Sequence, residues 1–181
     1  GRRVGLDLKK KRGTREKRRK PMKFTKMQGI GNDYVYVNCL QETIENPSEL
    51  AKKISDRHYG VGSDGLIMIN PSDKADFEME MYNADGSRGE MCGNGIRCVG
   101  KFVYDKKLTD RTLVTVETKA GIKTLKLNVK DEEVDTVRVD MGTPILEGEK
   151  IPVITDEKIA QNLRLNALDK SFDFTCVSME N

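Results

Sequence analysis

The chain has 181 residues, which is enough for one domain with a hydrophobic core or for two very small ones. Hydrophobic residues make up 36% of it and charged residues 34%, a balance typical of soluble globular proteins. No apolar run approaches the roughly 18 residues that a membrane-spanning helix needs, and no apolar segment follows the basic N-terminus as it would in a signal peptide. These features exclude a transmembrane role, and a cytoplasmic location with reduced thiols is the default expectation.

The net charge of +3 conceals an uneven distribution. Residues 1–20 hold eleven Lys and Arg against two Asp and Glu, whereas the other 161 residues hold 21 against 27. We interpret residues 1–21 as a disordered basic arm. Such an arm could bind nucleic acid by neutralising phosphates. We favour non-native or upstream-translated sequence instead, because Met22 directly precedes a well-patterned strand, and we expect the folded domain at residues 22–181.

The first half of the folded part is predicted to alternate short strands, glycine-rich turns and helices. A glycine pair at Gly29 and Gly31 suggests a dinucleotide-binding loop, but the third glycine is absent and no helix follows, so a hairpin-like turn is favoured. Ser48 is the expected N-cap of the first helix. The predicted elements are, in order, strand 23–27, the turn 29–33, strand 34–38, helix 47–57, a glycine loop at 59–65, strand 66–69, strand 76–82 and helix 96–106.

The second half is predicted to be mostly strand. Residues 113–117, 122–129 and 134–141 form an expected antiparallel meander. Residues 155–169 are ambiguous, with Thr155 as a candidate cap for a short helix at 160–163, and a last strand is predicted at 172–179. Short strands outnumber helices, so the fold class is α+β, with the helix that follows Cys92 as the central packing element.

The four cysteines and the single histidine do not form a recognisable metal site. Cys39, Cys92, Cys98 and Cys176 lack C-x-x-C spacing, and a structural zinc ion needs four soft ligands at characteristic spacings. No Ser–His–Asp set and no phosphate-binding loop with its lysine are present. We therefore expect no metal.

Residues 81–98 have the strongest functional pattern in the chain. They join a predicted strand to a predicted helix, with Cys92 at the helix entrance. Backbone N–H groups and the helix dipole stabilise a thiolate at such a position, and the same N–H groups can hold a carboxylate. Two further glycine and Asx turns, at 29–33 and 60–65, also lie at strand ends and are expected to converge with this loop. A pocket of amides and one activated thiol suits an amino or carboxylic acid.

Several motifs resemble diaminopimelate epimerase. The sequence C-G-N-G-I-R-C at 92–98, with N-A-D-G-S at 83–87, closely resembles the first active-site signature of that family. Three further segments match it in order: M-K-F-T-K-M-Q-G-I-G-N-D-Y at 22–34, D-R-H-Y-G-V-G-S-D-G-L at 56–66 and C-V-S-M-E-N at 176–181. The resemblance therefore covers residues 22–181.

The resemblance implies a cofactor-independent epimerase that interconverts L,L- and meso-diaminopimelate, for lysine and peptidoglycan-precursor biosynthesis. In that family two cysteines face each other across the substrate α-carbon, one as thiolate base and one as thiol acid. Each lies at a helix N-terminus in one of two similar domains. The implied fold is a mixed, largely antiparallel β-sheet curled around a central helix. Abstracting an α-proton without pyridoxal phosphate requires a carboxylate held by aligned donors in a water-poor pocket, which agrees with the pattern of residues 81–98.

The resemblance also assigns roles position by position. Cys92 matches the first catalytic cysteine, and the second would lie beyond residue 181, as would the residues for the distal end of the substrate. The expected partner is thus the C-terminal half of the same enzyme, a homodimer is left open, and the chain alone is expected to be inactive. The implied substrate-binding residues are Asn32, Asn83, Gly93, Asn94 and Asn181.

Two departures from the family pattern and two rival interpretations remain. Gly65 stands where some members have Gln, and Glu180 replaces a usual glycine. A proline, hydroxyproline or other amino-acid racemase of the same fold is the nearest rival. A non-catalytic amino-acid-binding domain, with Cys92 as a small buried hydrophobic residue, is the rival from a different class.

Overall fold

The computed structural model describes residues 21–179. Glu180, Asn181 and the basic residues 1–20 lie outside the described residues, so the expectations for the arm and for Asn181 stay predictions. No helix in the described part is long and apolar enough to cross a membrane.

An eight-stranded sheet and two helices form the main body. Its strands hydrogen-bond in the order β1-β2-β3-β4-β6-β7-β8, with β5 attached to β4. The pairs β2–β3 and β4–β6 are parallel and the others are antiparallel, and each parallel pair is joined by a crossover that contains a helix. The elements are β1 Thr25–Gly29, β2 Asn32–Asn38, α1 Pro47–Ser55, β3 Gly65–Asn70, β4 Phe77–Asn83, β5 Arg88–Gly89, α2 Gly93–Asp105, β6 Leu113–Thr118, β7 Gly121–Lys130 and β8 Glu133–Val139.

The sheet curls around α2. This helix contacts β1 and β2 near one end of the strand order and β7 and β8 at the other. Gly100 permits the close approach, because a Cβ there would lie 2.9 Å from methyl groups of Leu125 and Leu127. Gly100 thus packs against β7, and the predicted mixed, largely antiparallel sheet curled around a central helix is confirmed.

Strand β2 explains how the two helices are placed. Side chains alternate along a strand, so Tyr34 and Tyr36 join the inner core around α2, whereas Val35 and Val37 join a second cluster under α1. All four are buried. Because β2 and β3 are covered on both faces, most of their residues are apolar rather than alternately apolar and polar.

The N-cap of α1 was wrongly predicted. Asn46 occupies that position, and its side-chain Oδ1 accepts a hydrogen bond from Glu49 N at 3.3 Å. Ser48 lies in the first turn instead, where its hydroxyl donates to the carbonyl of Gly86 at 2.7 Å. Pro47 causes the shift, because proline is favoured in the first helical turn and leaves the preceding residue as the cap.

The short helix that Thr155 could cap, one possibility for the ambiguous residues 155–169, does not form. Two strands, β9 Leu163–Ala167 and β10 Lys170–Phe174, form an antiparallel hairpin instead. Its two-residue turn has φ of 50° at Leu168 and 60° at Asp169, the arrangement of a tight hairpin turn. The last strand ends earlier than predicted, and Ser178 pairs with Ile145 in an isolated bridge.

Candidate active site

Three turns meet at one edge of the sheet. Tyr34 lies opposite Gly65 in the parallel β2–β3 pair, and Gly65 lies opposite Asn83 in the β3–β4 pair. The residues beside these pairs bond to each other, with Asp64 N donating to the carbonyl of Asp33 at 2.7 Å and Ala84 N donating to that of Asp64 at 2.9 Å. The expected convergence of the three loops is confirmed.

The β1–β2 hairpin delivers Asn32 to this edge. Ile30 and Gly31 form its two-residue turn, with φ of 54° and 80°. Positive φ at both residues matches the right-handed twist of the flanking strands, so Asn32 becomes the first residue of β2. The end of β1 also lies close to α2, because a Cβ on Gly29 would be 3.1 Å from the carbonyl oxygen of Asn94.

Cys92 is the N-cap residue of α2. Its half-buried Sγ accepts a hydrogen bond from Gly95 N at 3.3 Å, and its carbonyl accepts from Ile96 N at 2.8 Å. Within residues 21–179, the N–H groups of Gly93 and Asn94 have no acceptor. These free donors lie at the positive end of the helix dipole, beside a thiol, and so form a place where an anion is stabilised.

Asn32 connects Cys92 to Asp64. Cys92 Sγ lies 3.2 Å from Asn32 Oδ1, and Asn32 Nδ2 lies 2.8 Å from Asp64 Oδ2. The same Asp64 oxygen accepts from Asp33 N at 3.0 Å. The amide of Asn32 is thus held at both ends.

Two cations, Arg57 and Lys26, contact the neighbouring carboxylates of Asp33 and Asp64. Arg57 bonds Asp33 at 2.7 and 3.1 Å and Asp64 Oδ1 at 3.1 Å, and Lys26 lies 3.0 Å from Asp33. The Arg57 hydrogen bond, followed by that from Lys26, outweighs desolvation and holds the pKa of Asp33 far below its usual range. Sequence reasoning missed Arg57, Asp33 and Asp64. The parallel pairing of Tyr34 with Gly65 places the two preceding aspartates side by side, and no local sequence pattern specifies that pairing.

Two buried tyrosines of β2 complete the inner side of the site. Burial raises the pKa of Tyr34 to about 12, and the nearby Cys92 and Asp64 add to the effect, so its phenol stays neutral. Tyr36 OH donates to the carbonyl of Gly95 at 3.3 Å, inside the first turn of α2. Cys98 lies in the inner core, where burial raises the pKa of its thiol. Cys98 is therefore a packing residue of α2.

The remaining predicted site residues that the structure describes are Asn83, Gly93 and Asn94. Asn83 ends β4 at the same edge, but its Nδ2 donates to Ser87 Oγ at 2.9 Å rather than to Asn32 or Cys92. Gly93 and Asn94 form the first turn of α2, and Asn94 Oδ1 accepts a hydrogen bond from Arg97. A side chain at Gly65 has no room, because its Cβ would lie 2.1 Å from the carbonyl of Tyr82. No group of metal ligands occurs in the described part.

The fold belongs to a known class that includes epimerases and isomerases. The chain is similar to a hydroxyproline epimerase from Agrobacterium vitis solved with bound trans-4-hydroxy-L-proline, with a TM-score of 0.59 and 13% identity over 86% of this chain and 48% of the other. It is also similar to a methylitaconate-delta-isomerase, with a TM-score of 0.53 and 17% identity over 62% of this chain and 36% of the other. At these identities the likeness shows the fold alone.

The family is shown by sequence. A family model described as Diaminopimelate epimerase matches residues 24–147, more than half of the chain. The chain therefore belongs to the diaminopimelate epimerase family.

Curated relatives with that name agree. The chain is 58% identical to one from Acetivibrio thermocellus, over 88% of this chain and 57% of the relative. It is 57% identical to one from Methanococcus maripaludis, over 88% and 58%. The chain thus spans less than two thirds of the length of these relatives.

Proposed function

We propose that the chain is one half of a cofactor-independent enzyme that epimerises L,L-diaminopimelate to meso-diaminopimelate with two cysteines. The observation that carries the proposal is the position of Cys92. It caps α2, beside the free N–H groups of Gly93 and Asn94. Lysine and peptidoglycan-precursor biosynthesis in the cytoplasm is the setting that the family name suggests.

In the proposed reaction, the N–H groups of Gly93 and Asn94 hold the substrate α-carboxylate. Their alignment with the helix dipole stabilises the negative charge that develops when the α-proton leaves. Asn32 and Asn83 lie at the same edge and serve as further substrate contacts, as does Asn181. The carboxylate binds at the N-terminus of α2, so the α-carbon of the substrate lies next to the Cys92 sulfur.

The proton balance needs two thiols. One cysteine, as thiolate, takes the α-proton and becomes a thiol, while the other, as thiol, gives its proton to the opposite face of the α-carbon and becomes a thiolate. The configuration is inverted and no proton is gained or lost overall. Cys92 is one of these groups and the other comes from the C-terminal half of the enzyme, because Cys98 packs in the core.

The rival amino-acid racemases share the fold, but the family model and the curated relatives favour diaminopimelate. A chimera tests the choice. Residues 22–181 are joined to the part of the Acetivibrio thermocellus relative that this chain does not match, with the intact relative as positive control. We expect the chimera to convert L,L- into meso-diaminopimelate. We expect Cys92→Ala to lower kcat/KM by about 10³-fold or more, since removing an acid–base group costs on the order of 10²–10⁴-fold.

Cys98→Ala is the matched control and should keep activity within about tenfold. A folded chimera that keeps its activity without Cys92 would overturn the catalytic role. A chimera that racemises proline but leaves diaminopimelate unchanged would overturn the substrate.

A further inference from the structure

The contacts of Asp64 determine which way the amide of Asn32 points. An ionised carboxylate only accepts hydrogen bonds, so the Asn32 atom 2.8 Å from Asp64 Oδ2 must be the NH₂ group. Both oxygens of Asp64 are acceptors in this site, because Arg57 Nη2 donates to Oδ1 at 3.1 Å and Asp33 N donates to Oδ2 at 3.0 Å. The carbonyl oxygen of Asn32 is then left facing Cys92 Sγ, at 3.2 Å.

A carbonyl oxygen can accept a hydrogen bond from a thiol but repels a thiolate. With the amide in this orientation, Cys92 is bonded to Asn32 as an S–H donor. A thiolate would prefer the NH₂ group, and offering it requires the amide to rotate and to lose its bond to Asp64. Asn32 therefore opposes the stabilisation of the thiolate by Gly95 N, which lies 3.3 Å from the same sulfur.

We propose that Asp64 is a positioning residue that holds Cys92 in its protonated, proton-donating form by fixing the orientation of the Asn32 amide. The thiol form is the resting state, and rotation of one amide is the step that frees Cys92 to act as a base. This inference deepens the proposed function, since it concerns the same cysteine, but its test does not depend on turnover.

Other charged or titratable groups near Cys92 must be kept constant in the test. Tyr34 and Tyr36 face it from β2, and Cys98 lies near it on α2. Arg97 approaches Gly93, with Nη1 4.0 Å from the Cβ position of that residue. On the side of Asn32 away from Cys92, Arg57 contacts both Asp64 and Asp33, and Lys26 contacts Asp33. Leaving all of these in place restricts the change to Asp64 and Asn32.

The experiment is the pH dependence of Cys92 alkylation by iodoacetamide in the 181-residue chain, followed by peptide mass spectrometry. In Asp64→Asn the new amide can bond either orientation of Asn32, so the NH₂ group becomes free to face the sulfur. We expect the half-maximal rate to move to lower pH, with the rate at about pH 6 rising at least about fivefold, as expected for a hydrogen bond to a charged atom. Asp56→Asn is the matched control, because within residues 21–179 the side chain of Asp56 accepts hydrogen bonds only from the backbone N–H groups of His58 and Tyr59.

A double-mutant cycle separates the amide from direct charge effects, since removing the charge of Asp64 also favours a thiolate. Asn32→Ala alone should raise the rate at about pH 6, and adding Asp64→Asn to it should change the rate less than twofold. Equal effects of Asp64→Asn with and without Asn32 would overturn the proposal, as would slower alkylation in Asn32→Ala. Asn32→Ala also gives an answer by itself if Asp64→Asn does not fold.

Discussion

At the scale of single residues, Cys92 differs from the other cysteines in its surroundings. Cys39 lies under α1, where burial raises the pKa of its thiol to about 11, and burial also raises the pKa of Cys98. Cys176 is half-buried in the C-terminal segment, where its N–H donates to the carbonyl of Ala160 at 2.8 Å. Cys92 alone of these four caps a helix, so two opposing influences act on it: the N–H groups of α2 stabilise a thiolate, and the Asn32 carbonyl stabilises the thiol.

The first prediction is that Cys92 becomes the most reactive thiol of the folded chain at about pH 6 in Asn32→Ala, because the N–H groups of α2 then stabilise its thiolate without the opposing carbonyl. Limited iodoacetamide treatment of this variant followed by peptide mapping should label Cys92 before Cys39, Cys98 and Cys176. In Cys92→Ala the fast phase should disappear. Equally slow labelling of all four thiols would show that α2 does not activate this cysteine.

Much of the candidate site could be predicted from individual residues, but the charges behind it could not. Cys92, Asn32 and Asn83 lie where the turn chemistry predicted, at one edge of the sheet. Asp64 and Arg57 were missed because their effect arises only from tertiary pairing. Asp64 lies 32 residues from Asn32 along the chain, and Arg57 lies 24 residues from Asp33. No local pattern specifies such contacts.

At the scale of elements, α1 connects the outer cluster to the 83–87 turn. Asn46 satisfies a free N–H at the start of the helix. Ser48 Oγ instead bonds the carbonyl of Gly86, which belongs to the turn that follows β4. The helix start is therefore held by two different polar side chains, one for the helix itself and one for its position against the turn.

The second prediction concerns this cap. Asn46→Ala should lower the free energy of unfolding of the chain by about 1 kcal/mol, since the N-cap side chain satisfies a helix N–H group. Asn46→Ser, which keeps a capping oxygen, should stay within about 0.5 kcal/mol of the unchanged chain. Urea denaturation followed by circular dichroism measures both. An Asn46→Ala variant as stable as Asn46→Ser would mean that the cap contributes nothing.

Most elements of the sheet were predictable because their side chains alternate or form buried runs. The meander of β6, β7 and β8, and the inward methionines of β4, follow from a period of two. The short strand β5 and the β9–β10 hairpin were missed. β5 has only two residues, and β9 and β10 are largely exposed, so neither has a strong apolar pattern. The hairpin turn at Leu168 and Asp169 also lacks glycine, which removes its usual signal.

At the scale of the whole molecule, the curled sheet presents its site at an edge. The three converging turns and the N-terminus of α2 lie together, and Cys92 is half-buried there. Within residues 21–179, no second cysteine occupies such a position: Cys98 is in the core and Cys39 lies under α1. The proposed chemistry needs an acid and a base on opposite faces of the α-carbon, and this part of the enzyme offers one of them.

Inversion of the substrate α-carbon tests this division of labour most directly. The isolated 181-residue chain is incubated with L,L- or meso-diaminopimelate in deuterated water, beside the chimera as positive control, and both deuterium at the α-carbon and the ratio of the two isomers are followed. We expect no inversion above the uncatalysed rate with the chain alone. We expect inversion with the chimera, and Cys92→Ala should abolish it. Robust inversion catalysed by the isolated chain would contradict the assignment of a single acid–base group to this half of the enzyme, because exchange with retention of configuration needs only one such group.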